Sequence, residues 1–313
     1  SKNLAGLLQG LVPQYFEKSH LHLIADIEPT LFPDLPWDHL VFTGSTSTGK
    51  KVMAAAARHL TPVTLELGGK SPAIIDEDFN IKTAVERVMF GKMANAGQTC
   101  IAPDYLFVPR SKLDAFVETA KSVVANRYQD VKSQDFTSII DEKSYLRLQE
   151  TIEDAVNNGA KVIPLVKGDS DEKKRKLTPQ LLLACTNNMT ILQREIFGPL
   201  LPIIPYDNLE SVIAEINARE RPLALYIFSN NTSTQKKLID RIISGGVTIN
   251  DCLFHIAQHD LPFGGIGNSG MGHYHGFDGF KEFSKMRPIF KQGPISPVAL
   301  MSPPFGRGIE AIS

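Results

Sequence analysis

Apolar residues recur along this chain at two spacings, and the alternation between them predicts its architecture. Short apolar runs at His39–Thr43, Val63–Leu67, Leu201–Ile204, Leu223–Phe228 and Val247–Ile249 have the length and side chains of strands. Leu21–Asp26 reads as another. Between such runs, the helical period of 3.6 takes over. Ile81, Ala84, Val85, Val88, Met89 and Met93 share one helix face, which Asn80 can cap. Leu113, Phe116, Val117, Ala120 and Val124 repeat the pattern, as do Leu148, Ile152, Ala155 and Val156, with Gly159 just past the helix end. An alanine-rich helix is expected over Thr48–Leu60, and another through Leu238, Ile239 and Ile242, closed by Gly245. This alternation predicts βαβ units and a largely parallel sheet buried on both faces. Beyond Ser269 the pattern yields to Gly, Phe, His and Pro, and from Gln292 the chain reads as an extended tail needing another surface to order it.

Bulk properties narrow the function classes. A chain of 313 residues suits two domains, or one large α/β domain with an appendage. A formal charge of −1 argues against a nucleic-acid footprint, and Lys173–Lys176, preceded by Asp169, Asp171 and Glu172, reads as a solvated loop. Cys100, Cys185 and Cys252 are far apart and form no CxxC pair, which points to a reducing compartment and no zinc ribbon. No apolar run approaches the roughly 20 residues that span a bilayer, and no secretory leader opens the chain.

Five segments carry candidate chemistry. In Asn95-Ala96-Gly97-Gln98-Thr99-Cys100 a glycine turn delivers a cysteine into polar surroundings. It is either a structural thiol or a partly exposed nucleophile with main-chain N–H groups able to hold an oxyanion. Leu65-Glu66-Leu67-Gly68-Gly69-Lys70-Ser71-Pro72 puts a glutamate near the end of an apolar strand, before two glycines that allow close backbone approach. A Glu reaching solvent from a strand end is the alternative. Phe42-Thr43-Gly44-Ser45-Thr46-Ser47-Thr48-Gly49-Lys50 is a strand, a turn and a helix start, whose free N–H groups suit a pyrophosphate. Its spacing is neither GxxxxGKS/T nor GxGxxG, so a plain βα turn explains it equally. Glu195-Ile196-Phe197-Gly198-Pro199 sets an acid and a ring beside a rigid turn, fit to hold ribose hydroxyls or merely to end a helix. The glycine-dense loop Leu261–Gly272 is a crossover or a lid. His255, His259, His273 and His275 read as plain polar residues, and no metal is expected.

In this order the five segments resemble the signatures of the aldehyde dehydrogenase superfamily: FTGS-x-x-x-G, LELGGKSP, N-x-GQ-x-C, E-x-FGP and LPFGG-x-x-x-SG-x-G, over residues 42–272. Asn250-Asp251-Cys252 and Gly267–Gly272 look most like its class 3 branch, and within that the bacterial coniferyl aldehyde dehydrogenases. The resemblance implies an α/β fold: a partial Rossmann-type cofactor domain over 1–68, an α/β catalytic domain over 69–260, and a Gly-rich crossover with an oligomerisation tail over 261–313. It implies that Cys100 attacks an aldehyde, that hydride passes to NAD or NADP, and that Glu66 activates the water that releases a carboxylic acid. Thr43, Gly44 and Ser45 would approach the pyrophosphate, Leu67 the nicotinamide carboxamide, and Glu195 the nicotinamide ribose with Phe197 beside it. Cys252 would line the substrate pocket, and Cys185 a core position. The implied substrate is an aromatic aldehyde such as coniferyl aldehyde, with a medium-chain aliphatic aldehyde as alternative. A cytoplasmic homodimer, or tetramer, with no membrane or nucleic-acid partner completes the expectation.

One departure stands out. The family's PWN-type and KPSE-type motifs, which supply an oxyanion Asn and read the adenosine ribose, precede its FTGS loop, and neither occurs here; Pro36-Trp37-Asp38 lies too close to that loop. With Ser1-Lys2-Asn3 at its start, the chain is expected to lack the N-terminal part of such an enzyme. Two other readings follow: a thiol-dependent esterase using Cys100 and Glu66 without cofactor, and a non-catalytic fragment with an exposed sheet edge.

Overall fold

The apolar runs pair into two sheets. The structure, a computed structural model, describes residues 2–24, 27–28 and 30–303. After helix α1 (Lys2–Tyr15), strand β1 (Leu40–Gly44), helix α2 (Thr46–Ala56) and strand β2 (Val63–Leu67) form one parallel βαβ unit. A two-residue strand, β10 (Gly270–Met271), returns much later in the chain and pairs antiparallel to β2, with Gly270 opposite Glu66.

The larger sheet takes β3 (Pro72–Ile75), β4 (Tyr105–Pro109), β5 (Lys161–Pro164), β6 (Gln180–Leu183), β7 (Leu200–Tyr206), β8 (Ala224–Phe228) and β9 (Gly246–Ile249) in the order β5-β6-β7-β4-β3-β8-β9. All neighbours run parallel except β5 against β6, an antiparallel edge pair the sequence did not predict. Helices α3 (Ile81–Met93), α4 (Leu113–Arg127), α5 (Glu142–Asn157), α6 (Thr190–Gln193), α7 (Leu209–Asn217) and α8 (Thr232–Arg241) connect the strands, and α9 (Gly276–Glu282) and α10 (Val298–Met301) follow β10.

Capping fixes several of these helices in place. Asn80 accepts from the Thr83 N–H at 3.0 Å, Asp141 from Ser144 at 2.7 Å and Asn208 from Glu210 at 2.8 Å. The predicted faces are buried: Ala84, Val85, Val88 and Met89 of α3 are fully enclosed, as are Phe116, Ala120 and Val124 of α4. Strands β3, β4 and β8 are buried throughout. At about 1.5–3 kcal/mol for each large apolar side chain taken from water, this sheet carries most of the stability. The small sheet has only Leu40, Val52, Leu65 and Leu67 as its buried cluster.

Several local expectations need correction. Leu21–Ile24 is irregular and mostly exposed, with no strand partner among the described residues; Ala25 and Asp26 lie outside them. The helix expected to reach Leu60 stops at Ala56 and tightens to a 3-10 turn. Leu60 adopts φ 56°, and the Thr61 N–H returns to the Ala56 carbonyl at 3.1 Å. Helix α8 ends at Arg241 because Ile242 is already extended, so Gly245 does not close it and instead packs against the Gly264 carbonyl. Lys176 is not a solvated residue: its stem is buried and its ammonium donates to the Ser133 carbonyl. Helices α1, α6, α7, α9 and α10 and strands β4, β5 and β6 are not foreshadowed by the apolar pattern. The predicted tail is irregular and exposed over 292–297, then makes the single turn α10; residues 304–313 lie outside the described residues.

Candidate functional site

Three chain segments meet between the carboxyl end of β2 and the amino ends of β4 and β7, and each brings one predicted residue. The first delivers Cys100. Helix α3 ends at Met93, and Asn95, Ala96 and Gly97 then take left-handed conformations in succession, with φ 50°, 53° and 73°. For Asn95 and Ala96 that is strain, held in place by its surroundings. Gln98 does the holding: its amide donates to the Asn95 carbonyl at 3.0 Å and the Ser138 carbonyl at 3.1 Å, and its Oε1 accepts from the Ile140 N–H at 2.8 Å. A Cβ on Gly97 would overlap the Gly198 carbonyl, so the cysteine turn and the Phe197-Gly198-Pro199 turn touch through bare backbone. Gly97→Ala therefore carries both a backbone and a steric penalty. We expect it to cost about 2 kcal/mol or more of stability, read as a lower melting temperature; an unchanged melting temperature would show that the two turns can move apart freely.

Cys100 itself is half-buried and free. Burial pushes its thiol up to about 11, with the carboxylates of Glu195 and Glu66 adding to the rise, while the N–H groups of Cys100 and Ile101 pull it down. Those same two carboxylates are thereby within electrostatic reach of the sulfur. Glu66 is 4% exposed, and neither of its carboxylate oxygens has a hydrogen-bond partner among the described residues. Burial alone raises it from 4.5 to about 8. A buried acid kept without hydrogen-bond partners is poised to exchange a proton near neutral pH.

Glu195 arrives from the segment before β7. It is half-buried, its carboxylate rests against Gly68 where a Cβ would collide with it, and it accepts from the Gly69 N–H. Burial raises it to about 7, Asp104 adds to that, and Lys70 and Arg147 oppose it. Phe197, two residues on from this acid, takes φ 48° and is 37% exposed. A cavity of about 500 Å³ opens here, lined by Thr46, Gly68, Gly69, Lys70, Glu195 and Asn268 among others. A bare glycine backbone facing a carboxylate, in a cleft of that size, fits the sugar hydroxyls of a dinucleotide.

The FTGS segment sits at the mouth of this cleft. Thr43, Gly44 and Ser45 are exposed, and Ser45 caps α2 by accepting from the Thr48 N–H at 3.3 Å. The Thr46 hydroxyl reaches the Asn268 carbonyl at 2.8 Å and so ties this turn to the glycine-dense crossover. The Leu67 side chain is spent on packing with Gly49 and the small core, leaving only its main chain to face a ligand. Cys252 is fully buried against Gly91, and Cys185 packs on the edge of the large core.

Sequence reasoning missed two elements of this site. Tyr274 lies in a bridge to Phe263, and its phenol is raised first by burial and then by the charges of Glu66 and Cys100, within whose electrostatic range it stands. Lys70 and Asp104 form a buried ion pair behind Glu195. The lysine was visible within the GGKSP run; the aspartate, four residues past the cysteine, had no local signal.

The aldehyde dehydrogenase family pattern matches residues 24–289. A probable coniferyl aldehyde dehydrogenase of Pseudomonas aeruginosa is 45% identical over 309 residues, 98% of this chain and 64% of that relative. Among solved structures, substrate-bound Staphylococcus aureus AldH superposes with a TM-score of 0.90 at 39% identity, over 99% of this chain and 68% of that one. The Mycobacterium tuberculosis aldehyde dehydrogenase complexed with NAD+ gives a TM-score of 0.73 at 33% identity, over 84% and 55% respectively. The chain thus spans about two-thirds or less of the length of most of these relatives.

Proposed function

Because the chain belongs to the aldehyde dehydrogenase family, we propose that its site oxidises an aldehyde to a carboxylic acid through a thioester on Cys100. The observation that carries this reading is one free cysteine within electrostatic range of two carboxylates raised towards neutrality, one of which, Glu195, lines an open cleft. Cys100 gives up its proton to solvent and attacks as the thiolate, its sulfur bonding to the carbonyl carbon as the carbonyl electron pair moves to oxygen. The oxygen of that thiohemiacetal becomes an oxyanion, which the Cys100 N–H holds. NAD or NADP would supply the hydride acceptor, with Glu195 and Phe197 to hold its nicotinamide ribose, Thr43, Gly44 and Ser45 to approach its pyrophosphate, and the Leu67 main chain to meet its carboxamide. The sulfur is left in a thioester. Glu66 then takes a proton from water, the hydroxide adds to the thioester carbon, and the carbon–sulfur bond breaks to release the acid and restore Cys100.

On this reading residues 1–68 contribute to cofactor binding, 69–260 carry the thiol chemistry, and 261–313 supply the crossover and a dimer-forming tail. The substrate is an aromatic aldehyde such as coniferyl aldehyde, a choice supported by the name of the Pseudomonas relative. Three widely spaced free cysteines support a cytoplasmic setting; among the described residues no helix is long and apolar enough to cross a membrane.

The direct test supplies coniferyl aldehyde with NAD or NADP and follows reduced nucleotide and ferulic acid together. Equal amounts of both are expected. Ester turnover that needs no nucleotide, with no aldehyde oxidised under any nucleotide, would replace this reading by a thiol hydrolase.

A further inference from the structure

Two charged side chains in the core have no part in the chemistry above. Lys70 and Asp104 pair with side-chain exposures of 9% and 4%. All three donors of the Lys70 ammonium are used: one on Asp104, one on the Ile191 carbonyl at 2.8 Å and one on the Arg194 carbonyl at 3.0 Å. The second oxygen of Asp104 accepts from the Ile196 N–H at 2.8 Å. The pair therefore grips the main chain immediately before and immediately after Glu195. It is anchored in turn, because the Asp104 N–H donates to the Ser71 carbonyl at 2.8 Å. Arg147 adds a bond to the Ile196 carbonyl at 2.8 Å, and Arg219 one to the Leu192 carbonyl at 2.6 Å.

Stability does not explain this arrangement. Burying two charges costs more than most such pairs return, and two apolar residues of similar volume would join β3 to β4 as well or better. What an apolar pair cannot supply is directed donors for two carbonyls and an acceptor for one N–H, at fixed points around a single residue. The connectivity has a further property: Lys70 follows Gly68-Gly69 in the exit from the Glu66 strand, and Asp104 follows Cys100 into β4. One ion pair thus joins the segments bearing Glu66, Cys100 and Glu195.

We propose that Lys70 and Asp104 are positioning residues that set the Glu195 carboxylate over Gly68, in register with Cys100 and Glu66, and so fix where the cofactor ribose is held. Only the last clause rests on the proposed function; the placement of Glu195 does not. Lys92, Arg147 and Arg219 also face this pair or Glu195, so single charge removals would be compensated in part by them.

The test uses Lys70→Met with Asp104→Leu as a charge-neutral double variant, and Asp104→Asn as a milder one that keeps size and an acceptor for Ile196. Two quantities are read on folded protein: the dissociation constant of NADH and NADPH by fluorescence, and the pH midpoint of Cys100 alkylation by iodoacetamide. Since the Glu195 charge helps hold the Cys100 thiol high, releasing Glu195 lowers that midpoint. We expect a fall of about one pH unit and a dissociation constant raised about tenfold, with Asp104→Asn moving both in the same direction by less. An unmoved alkylation midpoint in either variant overturns the proposal, whatever the melting temperature does. A midpoint that falls while nucleotide binding is unchanged, or absent in the unaltered protein, keeps the positioning role and removes Glu195 from the cofactor site.

Discussion

Cys100→Ser should abolish both the acyl-enzyme and aldehyde oxidation, lowering turnover on the order of 10⁴-fold or more, while leaving the fold intact. The half-buried side chain has room for a hydroxyl, and the turn that delivers it is held by Gln98 and Gly97. A serine hydroxyl is far less acidic than a thiol and stays protonated, so the attack on the carbonyl carbon stops. The decisive measurement is intact mass after brief exposure to an activated ester. The unaltered protein should gain one acyl group, mapped to Cys100, and the serine variant none. An equal acyl load on the variant would move the nucleophile to another residue, and with it the whole assignment.

Glu66→Gln has a different signature, because it leaves the nucleophile and removes the base. Acylation of Cys100 should persist while hydrolysis slows about 10²–10⁴-fold, giving a burst of one equivalent followed by near-silence. The same variant makes a stability prediction. Burial raises Glu66 from 4.5 to about 8, so the folded state favours its neutral form. Between those two values the unfolded chain releases a proton that the folded chain keeps. Folding stability from this group is therefore whole below pH 4.5 and declines as pH climbs to about 8. Glutamine has no charge to bury and escapes that decline. The melting temperature of Glu66→Gln should match the unaltered protein at low pH and exceed it increasingly towards pH 8, in the absence of nucleotide. A constant gap at every pH would mean that Glu66 is already ionised in the folded protein.

The features legible in the sequence were those that repeat or that lie close together. The α3 face, the Asn80 cap and the burial of β8 follow from periodicity and from residues within one turn of each other. The chemistry of Cys100, Glu66 and Glu195 could be suspected from polar, glycine-rich surroundings and then from the family resemblance. Gatherings of distant residues were not legible. The Lys70–Asp104 pair spans 34 positions, and nothing near either residue points to the other. Tyr274 reaches the site only because the crossover folds back to bridge Phe263. The strand expected at Leu21–Ile24 had apolar residues of the right kind and found no partner among the described residues, which local pattern cannot foresee.

The short antiparallel return of β10 onto β2 has a consequence for the order of events during synthesis. Glu66 lies across from Gly270, and the Leu67 N–H donates to the Ser269 carbonyl at 3.1 Å. On a ribosome adding residues from the amino end, that partner emerges about two hundred residues after the glutamate. Cys100 is made early in the same interval. Throughout it the strand that carries Glu66 has β1 on one side and lacks its antiparallel neighbour on the other. The small sheet is therefore completed late, when Gly270 and Met271 close over Glu66 and Leu65.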